Sequence, residues 1–340
     1  MKRLLLLLNL LLLLFFVSCS VKQKGADVKA GKDSALTEVK ITPETIKNSM
    51  EYLSSDELEG RGTGTVGIEK AAIFIEKYLK DNGIKPFFET YRDSFEIENK
   101  SGKKVNNQFP KIQGYNIVGI VEGNDPALKN EYVILGGHYD HIGFGRLINN
   151  DSIANGANDD ASGTVAAMEI GRYFAGTKTN KRSLLITLYD AEELGLRGSS
   201  HLAFRLKNQG LDLYTMVNFE MVGVPRAEGK SMSYMSGYNK SNLASKLNDY
   251  VGEEVVGFFP KAKEFQLFFR SDNYPFFKEF TKPAHAISTF DFSNYEYYHH
   301  VDDEAEKMNY EHMADFTNKM IKAFEGILNA PTKELYLNDE

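Results

Sequence analysis

The chain has 340 residues, 40 lysines and arginines against 47 aspartates and glutamates, and an ordinary apolar share of 42%. That length supports one large core or two small ones. The mildly acidic balance, without any lysine- or arginine-rich block, argues against nucleic acid as a partner, because phosphate recognition needs a basic face.

The first predicted element is a targeting segment. Lys2 and Arg3 precede a leucine-rich run that ends in "VSCS". A charged start, a short apolar core and small terminal residues describe a secretory signal over residues 1–18, not a lasting membrane span. Cys19 is the only cysteine, so no internal disulfide forms. "FVSC" resembles a bacterial lipobox, in which the cysteine is lipidated and becomes the first residue of the mature protein. The alternative is a cysteine removed with the signal or left as an idle thiol. The expectation is a flexible polar tether over residues 19–41 and one domain over residues 42–340. The protein would be exported to a bacterial cell envelope, facing the periplasm or cell surface, and touch the membrane only through its lipid anchor.

Regular structure is expected from Thr42, where "TPETI" offers a threonine cap, proline at the first helical position and an early glutamate. In "GIEKAAIFIEKYLKDNGI", Ile68, Ala71, Ala72, Ile75 and Leu79 keep helical spacing, with Gly83 as the C-terminal cap. Apolar β-rich runs then alternate with helical patterns. "YNIVGIVEG", "EYVILGGH", "SLLITLYD", "YTMVNFEM" and "AHAISTF" predict strands. "SGTVAAMEIGRYFAG", "SHLAFRLKN", "SNLASKLNDYV" and "EHMADFTNKMIKAFEGIL" predict helices. Strands that are apolar on both faces, separated by helices, indicate an α/β fold. Its form is a three-layer α/β/α sandwich around a mixed, largely parallel sheet.

Ligands of such sheets sit beyond the carboxyl ends of the strands, and the polar clusters of this chain fall there. "EYVILGG" runs into His138 and Asp140, "SLLITLYD" into Glu192 and Glu193, and "YTMVNF" into Glu220. "AHAISTF" is followed by Tyr298, His299 and His300, and the loop "NGANDDASG" brings Asp159 and Asp160 to a helix start. Two histidines and several carboxylates without a thiolate suit zinc or a similar divalent ion, and five such ligands suit two ions sharing a carboxylate. The adjacent acids could then divide their work. Glu193 could bind metal while Glu192 stays free as a base. No "HExxH" or "GxSxG" occurs. "GTGTVG" follows a polar stretch, not an apolar strand, so its glycines read as a close turn before a helix and not as a nucleotide loop.

Taken together, "GGHYDHIG", "NGANDDASG", "DAEELGLRGS", "NFEMVG", "SDNYPF" and "YYHHVDD" resemble, in order, the motifs of metallopeptidase family twenty-eight, the co-catalytic zinc exopeptidases. The resemblance runs from Thr42 to the C-terminal helix. It implies that His138 and Glu220 bind one zinc ion, Glu193 and His299 the other, and that Asp159 bridges both. It further implies that Asp140 orients the His138 imidazole, with Asp160 beside the bridge, that Glu192 is the general base, and that Tyr298 donates to the oxyanion. Glu220 stands where the family has aspartate, one methylene shorter, and Asn273 where it has a histidine near the substrate side. His141, His201, His285, His300 and His312 fall outside the pattern and read as structural.

The implied activity is hydrolysis of N-terminal residues from peptides by a metal-dependent aminopeptidase. The competing readings are a single-zinc glutaminyl cyclase and a non-catalytic envelope protein that binds peptides.

Overall fold

A computed structural model describes residues 39–98 and 110–339; the signal segment, Cys19 and nearly all of the tether lie outside them. Local signals set the first two helices. Thr42 and Thr45 exchange side-chain-to-amide hydrogen bonds at the start of α1 (Pro43–Leu53). Thr65 caps α2 (Val66–Asp81), and Gly83, at φ 74°, turns the chain away after it.

The strands are β1 (Lys85–Pro86), β2 (Arg92–Glu98), β3 (Lys111–Val121), β4 (Glu131–His138), β5 (Phe144–Ile148), β6 (Asp151–Ile153), β7 (Ser183–Tyr189), β8 (Asp212–Glu220), β9 (Ser233–Met235), β10 (Val256–Gly257) and β11 (Ala284–Ser288). Between them come α3 (Ser162–Thr177), α4 (Arg197–Asn208), α5 (Leu243–Val251), α6 (Pro260–Glu264) and α7 (Asn273–Phe280), and α8 (Tyr310–Asn329) follows. The main sheet has the order β1-β3-β7-β4-β8-β11-β9-β10, with β2 also paired to β3, and β5–β6 form a separate hairpin. Strands β7, β4, β8 and β11 run parallel, whereas β3 pairs antiparallel with β7 and β9 with β11.

Alternation along the central strands explains the layers. Val133 and Leu135 of β4 join a core that includes residues of α1, α2, α3, α5 and α8, while Ile134 between them packs with Leu202 of α4 and Phe276 of α7. Both faces of the sheet are therefore covered, and burial of this apolar surface is the main stabilising term. The expected α/β sandwich is the observed fold, and the described residues form one compact unit. Among the described residues, no helix is long and apolar enough to cross a membrane.

Pattern reading did not find β1, β2, the β5–β6 hairpin, β9, β10 or helix α6. Charged residues interrupt β2, and the others are too short to show a period. "SDNYPF" enters helix α7, which pattern reading also missed.

Candidate metal centre

Because β7, β4, β8 and β11 are parallel, their carboxyl ends share one edge of the sheet. His138 pairs in register with Tyr189, and Glu220 with Ser288. Two glycines let helix α3 approach that edge closely. A Cβ on Gly137 would stand 2.9 Å from backbone atoms of Gly163 and Thr164, and one on Gly163 would stand 2.6 Å from the Phe219 carbonyl oxygen.

The loop before α3 is stapled to the chain after Glu220. Three successive amides, those of Met221, Val222 and Gly223, donate to Asp160 Oδ1 (2.8 Å), Ser162 Oγ (2.9 Å) and Asn158 Oδ1 (2.9 Å). Asp160 also accepts from the amides of His138 and Gly163, which ties β4, α3 and the end of β8 together. Its role is therefore to lock the backbone that carries the ligands. The Asp159–Asp160 peptide is cis.

Two groups of ligating atoms meet at Asp159. On one side, His138 Nε2 lies 3.2 Å from Asp159 Oδ1 and 3.3 Å from Glu220 Oε1. On the other, His299 Nε2 lies 3.3 Å from Asp159 Oδ2 and 3.1 Å from Glu193 Oε1. All five residues that the sequence nominated as ligands converge there. The second oxygen of Glu220, Oε2, accepts from Ser271 Oγ at 2.7 Å.

A sixth residue joins them. His141, read from the sequence as structural, puts Nδ1 3.1 Å from Glu193 Oε1 and 3.9 Å from Asp159 Oδ2. Both its ring nitrogens, Asp159 Oδ2 and Glu193 Oε1 are buried without a hydrogen-bond partner. Three of these atoms, His141 Nδ1, Asp159 Oδ2 and Glu193 Oε1, lie together. Orphaned buried polar atoms are costly unless something satisfies them, and nitrogen and carboxylate donors together fit divalent cations. The residues present thus fit a metal. The second histidine of "HYDH" was the available signal for His141.

Polar residues behind the ligands fix their geometry. Asp140 Oδ1 accepts the Glu192 amide at 3.1 Å and Oδ2 the Glu193 amide at 3.2 Å. The Asp140 main-chain carbonyl lies 3.1 Å from His138 Nδ1, and its carboxylate 3.5 Å. Ring orientation, which the sequence reading gave to the carboxylate, is thus shared with the backbone. Asp303 accepts the amides of Asn158 and Asp159 at 2.8 and 3.1 Å.

Sequence reasoning missed Arg61, in "LEGRGTGT". It is 1% exposed and donates to the carbonyls of Leu53, Tyr139, Asn155 and Gly156. Its own carbonyl accepts the His141 amide. Burial lowers this guanidinium to about 10, with Asp303, Asp140 and Asp159 opposing the shift, so it remains charged at neutral pH. An isolated arginine in a glycine-rich turn carried no motif to reveal it.

The electrostatics of the centre favour positive charge. Burial alone would push the His299 ring down, but Asp159 and Glu193 outweigh it and raise the ring to about 10. Glu192 lies outside both ligand groups. Burial pushes its carboxyl well above the usual range; His138 opposes the shift, and Asp272 and Glu220 add to it. Burial likewise raises Asp272 to about 7.

The backbone is left-handed at Ala191 (φ 61°), Met221 (φ 51°) and His299 (φ 56°), so three segments that bear ligands hold strained turns. Tyr298 is 44% exposed and stacks on His299 with ring centroids 4.0 Å apart. Asn273, expected near the substrate side, is buried and donates to the carbonyls of Phe268 and Ala284.

A pocket of about 180 Å³ adjoins Glu220; Met221, Leu267, Ala286, Phe290 and Phe292 form its apolar wall, and Arg270 also lines it. A larger cavity of about 620 Å³ lies among Phe258, Phe259 and Phe268, and no residue of the centre lines it.

An open, largely parallel sheet whose strand ends gather two ligand groups around one shared aspartate defines a class: α/β proteins built for a pair of cations at the carboxyl edge. Within that class the chain belongs to peptidase family M28, whose family model matches residues 116–324. A protein of the fungus Pyrenophora tritici-repentis named "Probable zinc metalloprotease" is 38% identical over 112 residues, 33% of this chain and a quarter (25%) of that protein's length. The fold is similar to that of BSAP, a zinc aminopeptidase from Bacillus subtilis (TM-score 0.66, 16% identity, 87% of this chain and 97% of the other). It is also similar to that of Fimbriiglobus ruber glutaminyl cyclase (TM-score 0.64, 19% identity, 84% and 95%).

Proposed function

We propose that the chain is a zinc-dependent exopeptidase that removes N-terminal residues from peptides. Membership of family M28 supports this reading, and one observation carries it: two ligand groups share Asp159 while Glu192, beside Glu193, belongs to neither. Two zinc ions, or similar divalent cations, would be held by His138, Asp159 and Glu220 and by Asp159, Glu193 and His299. When bound they would polarise a scissile carbonyl and make water more acidic.

Glu192 accepts the proton of the attacking water and returns it to the leaving amine, and its buried position keeps its proton affinity high. Tyr298, at the rim, donates its phenolic hydrogen to the developing oxyanion. Asp272 and Glu220 both raise the proton affinity of Glu192, and Glu220 raises that of Asp272. The apolar pocket beside Glu220 suits a side chain of leucine or phenylalanine size.

The deciding experiment is zinc analysis of the full chain coupled to a screen of aminoacyl-nitroanilides and glutaminyl peptides. Release of nitroaniline by a protein holding two zinc ions supports the reading. Cyclisation of glutaminyl peptides with one zinc per chain, without release, replaces it with the glutaminyl cyclase reading, whose solved representative shares the fold.

We further propose export and lipid anchoring at Cys19. Radioactive palmitate incorporated in a bacterial host, and lost in Cys19→Ala, is the expected result; equal labelling of both proteins would refute the anchor.

A further inference from the structure

The two sides of the centre are unequal. His138, Asp159 and Glu220 offer three protein donors, whereas His141 stands with Asp159, Glu193 and His299 on the other side. We propose that His141 is a fourth ligand of that second side, closing it into a tightly held cation site, and that the three-donor side stays open to water and substrate. The inference rests on the metallopeptidase reading and deepens it.

Ligand spacing is the first argument. Atoms about 2.0–2.1 Å from a tetrahedral cation lie about 3.3 Å from one another. His141 Nδ1 to Glu193 Oε1 is 3.1 Å, His299 Nε2 to Glu193 Oε1 is 3.1 Å, and His299 Nε2 to Asp159 Oδ2 is 3.3 Å. The fourth edge, His141 Nδ1 to Asp159 Oδ2, is 3.9 Å. Three of these four separations lie within about 0.2 Å of that spacing, and His141 forms a candidate ligand group with Asp159 and Glu193.

Hydrogen bonding is the second argument. An imidazole that only supported Glu193 would aim an N–H at its carboxylate. Here Nδ1 approaches Oε1 without hydrogen-bond geometry, and both atoms remain unpartnered. A shared cation satisfies both at once.

The ring is also held in place. The His141 amide donates to the Arg61 carbonyl at 3.2 Å. Its ring packs over Gly156, where a Cβ would sit 2.6 Å from its Cγ, and meets the His299 ring edge-on at 5.6 Å between centroids. At 1% exposure it offers nothing to a substrate in solution. Four protein ligands characterise structural zinc sites, and three with an open position characterise catalytic ones. The first zinc ion should therefore fill the closed side and the second the open one.

The test is zinc titration of the full chain against a chromophoric chelator, with X-ray absorption of the wild type loaded with one and with two equivalents. The wild type should bind two ions in separate steps. The first should show two imidazole ligands, and the loaded pair should share three. His141→Gln should keep two ions but weaken one step. Partners that merely orient a ligand typically cost about 10–100-fold in affinity, so losing a ligand should reach or exceed the upper end.

Unchanged affinity in His141→Gln, or two imidazoles shared by two zinc ions, would overturn the fourth-ligand assignment and leave the peptidase reading intact. A wild type that binds no zinc would instead defeat the metallopeptidase reading. If His141→Gln fails to fold, imidazole counting on the wild type still decides.

Discussion

Asp140 holds Glu192 through the backbone: its carboxylate accepts the Glu192 amide with one oxygen and the Glu193 amide with the other. The base and its neighbouring ligand are thus aimed by a single buried acid at the end of β4. Asp140→Asn would turn one of those oxygens into an NH2 facing a backbone N–H. The expected result is a loss of about 10–100-fold in zinc affinity, measured as zinc retained per chain after dialysis against graded chelator.

Glu192→Gln removes the proton acceptor but none of the ligand atoms. Zinc content should match the wild type while kcat falls about 10²–10⁴-fold, the usual range for a lost general base. Full activity in this variant would remove Glu192 from the mechanism.

Arg61→Met should act on stability before chemistry. Four carbonyls lose their donor, and each unpaired buried group costs about 1–3 kcal/mol. A loss of at least about 3 kcal/mol is expected in denaturant unfolding of the protein without added metal.

His285 makes stability depend on pH. The Ser236 carbonyl can only accept, so Nδ1 carries the hydrogen (2.9 Å), and Nε2 accepts from the Ser241 hydroxyl (2.8 Å). Burial lowers the ring from 6.5 to about 4, with Lys240 adding to the shift and the Ser236 carbonyl opposing it. Between those values the unfolded chain binds the extra proton. The contribution is therefore complete above pH 6.5 and is lost as pH falls towards 4, by on the order of 3 kcal/mol. Unfolding at pH 7 and at pH 4.5 should show a steeper acid loss in the wild type than in His285→Gln.

Ala286 lies in the wall of the pocket beside Glu220. Ala286→Leu should fill it, reducing kcat/KM for leucyl and phenylalanyl nitroanilides about 10–100-fold while sparing the alanyl substrate. An equal effect on all three would mean that the substrate side chain binds elsewhere.

Much of this protein is written locally. The caps at Thr42 and Thr65, the apolar strands and the placement of His138, Glu193 and Glu220 at strand ends follow from propensity, period and the rule that open sheets bind ligands at their carboxyl edge. Those are near-neighbour effects, which a linear sequence displays. His141, Arg61 and the backbone work of Asp160 were not legible in the same way. Each acts across a long stretch of chain, Arg61 on Asn155 and Gly156, Asp160 on Met221, His141 on Glu193. Only packing the parallel strands side by side brings those segments within bonding distance. The residue types and their order were thus fixed by the sequence alone. Which histidine meets which carboxylate was decided by the sheet, because contact between distant residues depends on how the strands are stacked and not on their spacing along the chain.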